Sequence, residues 1–278
     1  MTTLLQDLRF ALRQLRRSPG FAAAAVLTLA LAIGANAVVF SIMNAFILRS
    51  LNVAHAESLY GLWRQPANDM AESYPDYLDL RDRNRSFDAL VAYNVAEIGL
   101  DTGEGPSRAW VEEATGNYFD ALGLQPYLGH FFHASDEHGP NSAPYIVLTY
   151  SFWHTQFQDD RGVVGRTVQV DKHPFTIVGV APPEFNGTLL FFQPAFFVPI
   201  VNHEQLAADD LNARGNRWVF MTMGLLKAGV TPAQAIADLN SIGSYLEKTY
   251  PKDDSTVTFS LAVQAFMATI LAAPYENS

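Results

Sequence analysis

The sequence predicts an α+β protein that carries a membrane helix, and three observations support this fold class. First, the 31 residues between Arg17 and Arg49 contain no charged side chain. Second, the chain beyond residue 50 alternates between short β-like runs and helix-like stretches, without low-complexity sequence. Third, its C-terminal part places a strand, a helix and a strand in succession, which is the pattern of a split βαβ unit.

The first 18 residues predict a basic amphipathic helix. Apolar side chains recur at three- and four-residue spacing, at Leu4, Leu8, Ala11, Leu12 and Leu15. Arginine occupies much of the remaining surface, at Arg9, Arg13, Arg16 and Arg17. We expect this helix to lie along the cytoplasmic interface, against lipid headgroups. Pro19 and Gly20 then end it, because proline cannot continue the hydrogen-bond ladder.

Residues 21–48 are apolar or small almost throughout and predict a transmembrane helix. At ~1.5 Å rise per residue they reach ~42 Å, which exceeds the ~30 Å hydrocarbon core. A cleaved signal peptide would have a shorter apolar region and a small-x-small cleavage site. Four Arg precede the span and one follows it. The positive-inside rule therefore predicts a single-pass membrane protein with a cytoplasmic N-terminus and an extracytoplasmic domain from residue 50 onward, called the outer domain below.

Small side chains form a stripe along this helix, with two asparagines on a neighbouring strip. The stripe consists of Gly34, Ala37, Ser41 and Ala45, and the asparagines are Asn36 and Asn44. One interpretation is a face that packs against other transmembrane helices, where small side chains permit close approach and Asn hydrogen-bonds across. The other is an Ala-rich helix that tolerates a few polar atoms.

The outer domain is predicted to mix strands and helices. Strands are predicted at residues 58–65, 107–115, 217–227 and 255–263, and a hairpin at 167–170 and 174–180 with its turn at 171–173. Helices are predicted at 75–84, 118–122, 151–157 and from Thr231 to about Tyr250. The last helix places Ala235, Ile236, Leu239, Ile242 and Leu246 on one face.

Charge and composition exclude several classes of function. Residues 1–49 hold five basic and one acidic side chain, whereas the outer domain holds 13 basic and 27 acidic ones. An acidic domain lacks the basic footprint that phosphate binding requires, so no nucleic-acid partner is expected. The acids are scattered, and we interpret them as a solvated surface. The chain has no cysteine, which excludes disulfides, thiolate metal sites and cysteine nucleophiles.

A metal site is the one chemical possibility that the residues suggest. His130, His133 and His138 lie close to Asp136 and Glu137, and imidazole and carboxylate both suit zinc. The segment lacks a helical two-His spacing with a third ligand, and its Gly and Pro indicate an exposed loop. The chain also contains no nucleotide-binding loop and no G-x-S-x-G motif. We therefore predict no enzyme and nominate no catalytic, cofactor-binding or metal-binding residue; a membrane-tethered metal hydrolase is an alternative that rests on this loop alone.

Phenylalanines cluster around Pro194, at Phe191, Phe192, Phe196 and Phe197. They could form an exposed apolar patch for a partner or occupy buried strand positions, and we favour the buried strand.

Several longer stretches carry a family resemblance. They are LLQDLRFALRQLRRSPGF (4–21), IGANAVVFSIMNAFILR (33–49), SYPDYLDLRDRNRSFDALVAY (73–93), GNYFDALGLQPYLGHFF (116–132), IVLTYSFWHTQF (146–157) and VVGRTVQVDKHPFTIVGVAPPEFNG (163–187). In this order they resemble the MacB-like and FtsX-like ABC transporter permeases, and most closely the acidobacterial-type duplicated permeases. The stretches cover most of residues 4–187.

The resemblance implies a MacB-type periplasmic core domain over residues 50–265, built from a porter-like βαβ part and an inserted second part. It also implies a non-catalytic permease subunit of the bacterial inner (plasma) membrane, without cofactors. A separate cytoplasmic ABC ATPase would drive export or mechanotransmission through it. Further partners would be other permease transmembrane helices or a second permease half, and the resemblance allows a periplasmic adaptor.

The C-terminal end departs from the family pattern. Residues 261–273 form an apolar stretch of only 13 residues, which is short for a second span. We therefore expect residues 266–278 to be a truncated tail and the chain to be a fragment of a permease. The alternative is a membrane-anchored extracytoplasmic binding or sensor module without transport activity.

Overall fold

The computed structural model describes residues 19–46, 53–65, 70–103, 105–189, 192–253 and 257–263. The chain divides into two compact units, Met1–Arg49 and Ser50–Ser278. The predicted amphipathic helix over residues 1–18 and the predicted tail over 266–278 lie outside the described residues. The finer domain bounds stay predictions.

The first unit contains helix α1, Pro19–Phe46. Within it, Ala22–Phe40 is long and apolar enough to cross a membrane, with a mean hydropathy of 2.2 and none of the segment buried. Thr28 Oγ1 donates to the Ala24 carbonyl at 2.9 Å, so this hydroxyl is satisfied inside the helix. The predicted apolar helix is confirmed over the described residues.

The described part of the outer domain contains ten strands and five α-helices. The strands are β1 Leu59–Gln65, β2 Phe87–Asp101, β3 Pro106–Ala114, β4 Leu128–Gly129, β5 Tyr145–Leu148, β6 Thr167–Val170, β7 His173–Val180, β8 Phe196–Pro199, β9 Met221–Leu226 and β10 Thr258–Val263. The helices are α2 Tyr74–Arg83, α3 Tyr118–Ala121, α4 Tyr150–Gln156, α5 His203–Ala207 and α6 Pro232–Thr249. Short 3-10 turns lie at Ala56–Ser58, Ala134–Asp136, Arg161–Val163 and Ile200–Asn202.

Strands β10, β1, β9 and the first half of β2 form a sheet, and together with α2 and α6 they make up the porter-like part. Strand β1 lies between β9 and β10 and is antiparallel to both. Strands β9 and β10 are therefore parallel to each other, and α6 connects them. This arrangement is a split βαβ unit, as predicted.

Both helices of the porter-like part begin at a side-chain cap. Ser73 Oγ accepts the Asp76 N–H at 3.1 Å, and Pro75 follows in the first turn of α2. Thr231 and Gln234 form a capping box at the start of α6. On α6 the predicted face is buried, apart from a half-buried Ile236, at Ala235, Leu239, Ile242 and Leu246.

A single glycine sets how closely α6 approaches the sheet. A Cβ at Gly243 would lie 2.3 Å from the Val257 carbonyl oxygen, so no larger residue fits between this helix and the start of β10. The apolar core beneath the two helices includes Leu62, Leu80 and Leu239.

The inserted part is a six-stranded barrel. Strand β2 continues out of the porter-like sheet, pairs with β3 from Tyr93 onward and reaches β6 at Leu100 and Asp101. The pairings β2-β3-β8-β5-β7-β6 return to β2 and close the ring. Buried side chains fill its interior, among them Val111, Ile146 and Phe175.

Strand β2 is absent from the sequence-based prediction. Residues 90–93 in its first half are buried in succession, so the alternation that marks a half-buried strand is missing there. The predicted strand at 217–227 is shorter in the structure, because residues 217–220 contribute only an isolated bridge from Val219 to Glu72. The other predicted strands and helices are present within one to three residues of their expected bounds.

The predicted hairpin of β6 and β7 turns at Asp171 and Lys172, which both adopt positive φ, 44° and 70°. His173 belongs to β7 rather than to the turn. Asp171 Oδ1 accepts the Gly99 N–H at 2.8 Å and so ties this turn to β2.

The predicted buried strand around Pro194 is β8. Phe196 and Phe197 are fully buried in it. Phe192 is half-buried and meets the exposed Trp110 edge-on, with ring centroids 5.9 Å apart. Phe191 lies outside the described residues.

Candidate functional site

Helix α1 exposes its apolar surface. Leu27, Leu31 and Phe40 are each more than 60% exposed. Gly34 and Ala37 of the small-residue stripe are exposed too, as is the neighbouring Asn36, whereas the side chains of Ser41, Asn44 and Ala45 lie outside the described residues. An uncovered apolar helix of this length requires either lipid or other helices around it.

A buried set of charged side chains, called the ionic cluster below, lies in the porter-like part. It consists of Arg64, Glu72, Asp76, Asp79 and Arg214. Arg64 Nη1 lies 2.8 Å from Glu72 Oε2 and 3.3 Å from Asp76 Oδ2. Arg214 contacts Asp76 and, at 2.7 Å, Asp79 Oδ2. The cluster joins β1, the start of α2 and the segment before β9.

Burial governs the electrostatics of the ionic cluster. The side chains of Arg64, Glu72 and Asp76 are almost inaccessible. Desolvation raises the pKa of Glu72 to about 7; the attraction of Arg64 offsets part of this rise, and the repulsion of Asp76 adds to it. The Arg214 guanidinium lies 3.7 Å above the Tyr250 ring, which extends the contacts to the end of α6. Such a cluster specifies one arrangement of the elements that it joins.

A second buried set, called the seam below, links the barrel to the porter-like part. Asn94 Nδ2 donates to Glu113 Oε2 at 2.8 Å, and His203 Nδ1 lies 2.9 Å from the same oxygen. The His203 ring stacks on Trp218 with centroids 3.4 Å apart, and Trp218 stacks on Tyr74 at 6.4 Å. The seam therefore runs without interruption from β3 to the first residue of α2.

Glu112 lies on the opposite face of β3 from Glu113, because successive side chains of a strand alternate. It is fully buried, and its two oxygens have no hydrogen-bond partner among the described residues. Burial raises its pKa to about 8, which the nearby Tyr118 hydroxyl offsets only in part. This carboxyl is therefore largely protonated at neutral pH.

The histidine-rich loop is held by hydrogen bonds rather than arranged around a common centre. His133 Nδ1 lies 2.9 Å from Asp120 Oδ2, and Asp136 Oδ2 accepts the His133 N–H at 2.7 Å. Glu137 Oε1 accepts the Gly116 N–H at 2.9 Å, and burial raises its pKa to about 7. Within the described ranges, no three His, Asp or Glu side chains are grouped to hold a metal ion.

The interpretation of the acids as a solvated surface is wrong for four of them. Glu72, Asp76, Glu112 and Glu113 are buried. The sequence does indicate that Glu112 or Glu113 is buried. The two acids are adjacent in a predicted strand, so their side chains must face opposite sides and one of them must point inward. The pairing of Glu72 and Asp76 with Arg64 and Arg214 has no such signal, because the partners lie far apart along the chain.

A family model decides what kind of protein this is. The model for the MacB-like periplasmic core domain matches residues 22–242, from within α1 to within α6. The chain belongs to this family. The resemblance to MacB-like ABC transporter permeases that the sequence motifs indicate is thereby confirmed.

Solved structures of the same fold agree with the MacB-like family. A domain described as part of a permease from Porphyromonas gingivalis is 14% identical, with a TM-score of 0.57, and the match covers 76% of this chain and 92% of that one. The periplasmic region of MacB from Actinobacillus actinomycetemcomitans is 16% identical, with a TM-score of 0.54, over 80% and 95% of the two chains. The extracellular domain of the noncanonical ABC-type transporter YknZ from Gram-positive bacteria is 12% identical, with a TM-score of 0.54, over 73% and 99%. Comparison with curated proteins by sequence gives no match.

The fold of these solved structures matches that of this chain, in which strand β2 joins the sheet of the porter-like part to the barrel of the inserted part. The outer domain of this chain is thus of a periplasmic type, and α1 is the one candidate membrane helix among the described residues.

Proposed function

We propose that the chain is a non-catalytic membrane subunit of a MacB-type ABC transporter, which couples a separate cytoplasmic ATPase to the outer domain during export or mechanotransmission. The observation that carries this proposal is the family match, which runs from the apolar helix into the outer domain. The N-terminus would be cytoplasmic and the outer domain periplasmic, with residues 1–18 against lipid headgroups or the ATPase.

Helix α1 would work as a member of a helix bundle. The exposed Gly34 and Ala37 support this role, because small side chains let helices approach closely in a membrane. Its partners would be other permease helices or a second permease half. The transport partner outside the membrane would be a periplasmic adaptor.

Motion of α1 would reach the barrel through the porter-like part. The ionic cluster holds β1 and α2 together, and the seam joins α2 to β3 by contacts of 2.8 to 6.4 Å. Both are buried, so a displacement of the porter-like part would carry the barrel with it rather than be absorbed between them.

The topology is tested by labelling cysteines in intact cells, because the chain has no cysteine of its own. Ala233→Cys, at an exposed position in the first turn of α6, should react with a membrane-impermeant maleimide from outside. Thr3→Cys should react only after the cells are permeabilised. Its labelling in permeabilised cells shows that the protein is expressed and that this cysteine can react. Labelling with the opposite pattern would contradict the proposed orientation.

The bundle is tested with two identical substitutions on opposite faces of α1. Ala37→Leu lies on the small-residue stripe. Ala32→Leu lies about 140° from Ala37 at 100° per residue, on the face opposite the centre of the stripe. We expect Ala37→Leu to reduce co-purification of the ATPase and permease helices from native membranes several-fold, while Ala32→Leu leaves it unchanged. Equal yields of co-purified protein for both variants would contradict a packing role for the stripe.

The coupling itself is tested by nucleotide hydrolysis. The purified chain alone should hydrolyse no nucleotide, and the complex with its ATPase should do so. Nucleotide hydrolysis by the chain alone would contradict the proposal of a non-catalytic subunit. Retention of a specific ligand by the chain, with no ATPase recovered from membranes, would favour the alternative of an anchored binding or sensor module.

A further inference from the structure

The carboxyl of Glu112 lies beneath a segment of the chain that the sheet does not hold. Residues Pro182–Leu189, called the strap below, follow β7 and cross over this face of β3. Gly187 of the strap has a φ of 90°, and a Cβ there would lie 2.9 Å from Glu112 Oε2. The backbone of the strap therefore rests directly on the carboxyl.

A few aromatic and hydroxyl contacts keep the strap in place. Thr188 Oγ1 lies 3.1 Å from the Tyr118 hydroxyl, and Phe185 stacks on Phe197 with centroids 5.8 Å apart. The Phe185 N–H donates to the Pro182 carbonyl at 3.0 Å, a bond within the strap. Closure thus depends on packing against this face rather than on a ladder of strand hydrogen bonds.

The other surroundings of Glu112 are poorly suited to a negative charge. The titratable side chains that face it in the described part of the chain are Tyr93 of β2 and Tyr118 of α3, and burial raises the pKa of both well above the usual range. The strap contributes the uncharged Gly187 and Thr188, while its own acid, Glu184, is exposed. An ionised carboxylate here would have no cation beside it and would require water.

We propose that Glu112 is a proton-dependent latch for the strap, which closes over the neutral carboxyl and lifts when the carboxyl ionises. Lifting is the route by which water reaches the carboxylate, because β3 and the aromatic core occupy its other sides. Since burial raises the pKa of Glu112 to about 8, the transition falls just above neutral pH. Lifting also uncovers Phe185 and Tyr118, so the outer domain changes its surface with the pH outside the membrane.

Hydrogen exchange on the full chain in detergent micelles tests this latch. Protection factors, corrected for the intrinsic pH dependence of exchange, are measured for amides 182–189 from pH 6 to pH 9. Release of one proton near pH 8 predicts a fall of about tenfold between pH 7 and pH 9. Amides of α6 in the same molecule should keep their protection and serve as the internal reference.

Two variants separate the latch from a general effect of pH. Glu112→Gln keeps the shape of the side chain and should give protection of the strap that does not vary over this range. Glu184→Gln removes an exposed acid from the strap itself and should retain the wild-type fall. A flat profile for wild-type protein, or the same fall in Glu112→Gln, would overturn the proposal, and the wild-type profile tests it even if that variant does not fold.

Discussion

The porter-like part and the barrel bury acidic side chains in opposite ways. In the porter-like part, Glu72 and Asp76 share the guanidinium of Arg64 at 2.8 and 3.3 Å. On β3 of the barrel, Glu113 meets an amide and an imidazole, and Glu112 has no hydrogen-bond partner among the described residues. Burial raises the pKa of Glu72 to about 7 and that of Glu112 to about 8, so a nearby cation offsets only part of the desolvation of a buried carboxyl.

Removal of the shared cation should have the largest effect. Arg64→Ala leaves Glu72 and Asp76 buried with less compensation, so we expect the free energy of unfolding to fall by about 3–5 kcal/mol. All four tryptophans, at 63, 110, 153 and 218, lie in the outer domain, so urea titration followed by tryptophan fluorescence reports on it. A loss below about 1 kcal/mol would mean that the ionic cluster contributes little to the porter-like part.

Cutting the seam should have a smaller effect. His203→Ala removes the ring that stacks on Trp218 and one of the two side-chain partners of Glu113 Oε2. We expect the free energy of unfolding to fall by about 2–3 kcal/mol, because a buried carboxyl loses a hydrogen bond and Trp218 loses its stacking partner. The quenching of Trp218 should change at the same time, and an unchanged emission spectrum of the folded variant would contradict the stacking.

The stability of the outer domain should fall as the pH rises, because burial raises the pKa of both Glu112 and Glu72. The pKa of Glu112 rises from an ordinary 4.5 to about 8 in the folded protein, so the folded state binds more protons than the unfolded state between these values. Stability from this group is complete below pH 4.5 and is lost as the pH rises, by about 2 kcal/mol between pH 6 and pH 8. Urea titrations at both pH values should show this fall in wild type and a smaller one in Glu112→Gln, and equal falls would contradict the assignment.

An exposed ion pair between β2 and β3 should contribute least to the free energy of unfolding. Arg108 Nη1 lies 3.0 Å from Glu97 Oε2, and the arginine side chain is 74% exposed. We expect Arg108→Ala to change the free energy of unfolding by less than about 0.5 kcal/mol, because solvent screens the pair. This variant is the matched control for Arg64→Ala, and a comparable loss would show that burial is not the cause of the large effect.

Sequence patterns predicted the elements whose signals are local. The uncharged run predicted α1, the caps at Ser73 and Thr231 mark where α2 and α6 begin, and the spacing of Leu239 and Leu246 predicted the buried face of α6. Strand β2 was not predicted because residues 90–93 in its first half are buried in succession, so the alternation of a half-buried strand is missing there. Four buried acids were predicted to lie on the surface, because acidic side chains are usually exposed. Their burial depends on cations or apolar surroundings that come from other parts of the chain, which the local sequence does not show.

Local patterns in the sequence were enough to predict the apolar helix, the split βαβ unit and the resemblance to the MacB-like family, because these depend on periodicity, capping and ordered motifs within short stretches. The folded structure was needed to show that β2 belongs to both the sheet and the barrel, that Arg64 contacts two carboxylates, and that the strap covers Glu112. These features join residues that are far apart along the chain, and their energies come from desolvation and close packing, which depend on neighbours that no local pattern specifies.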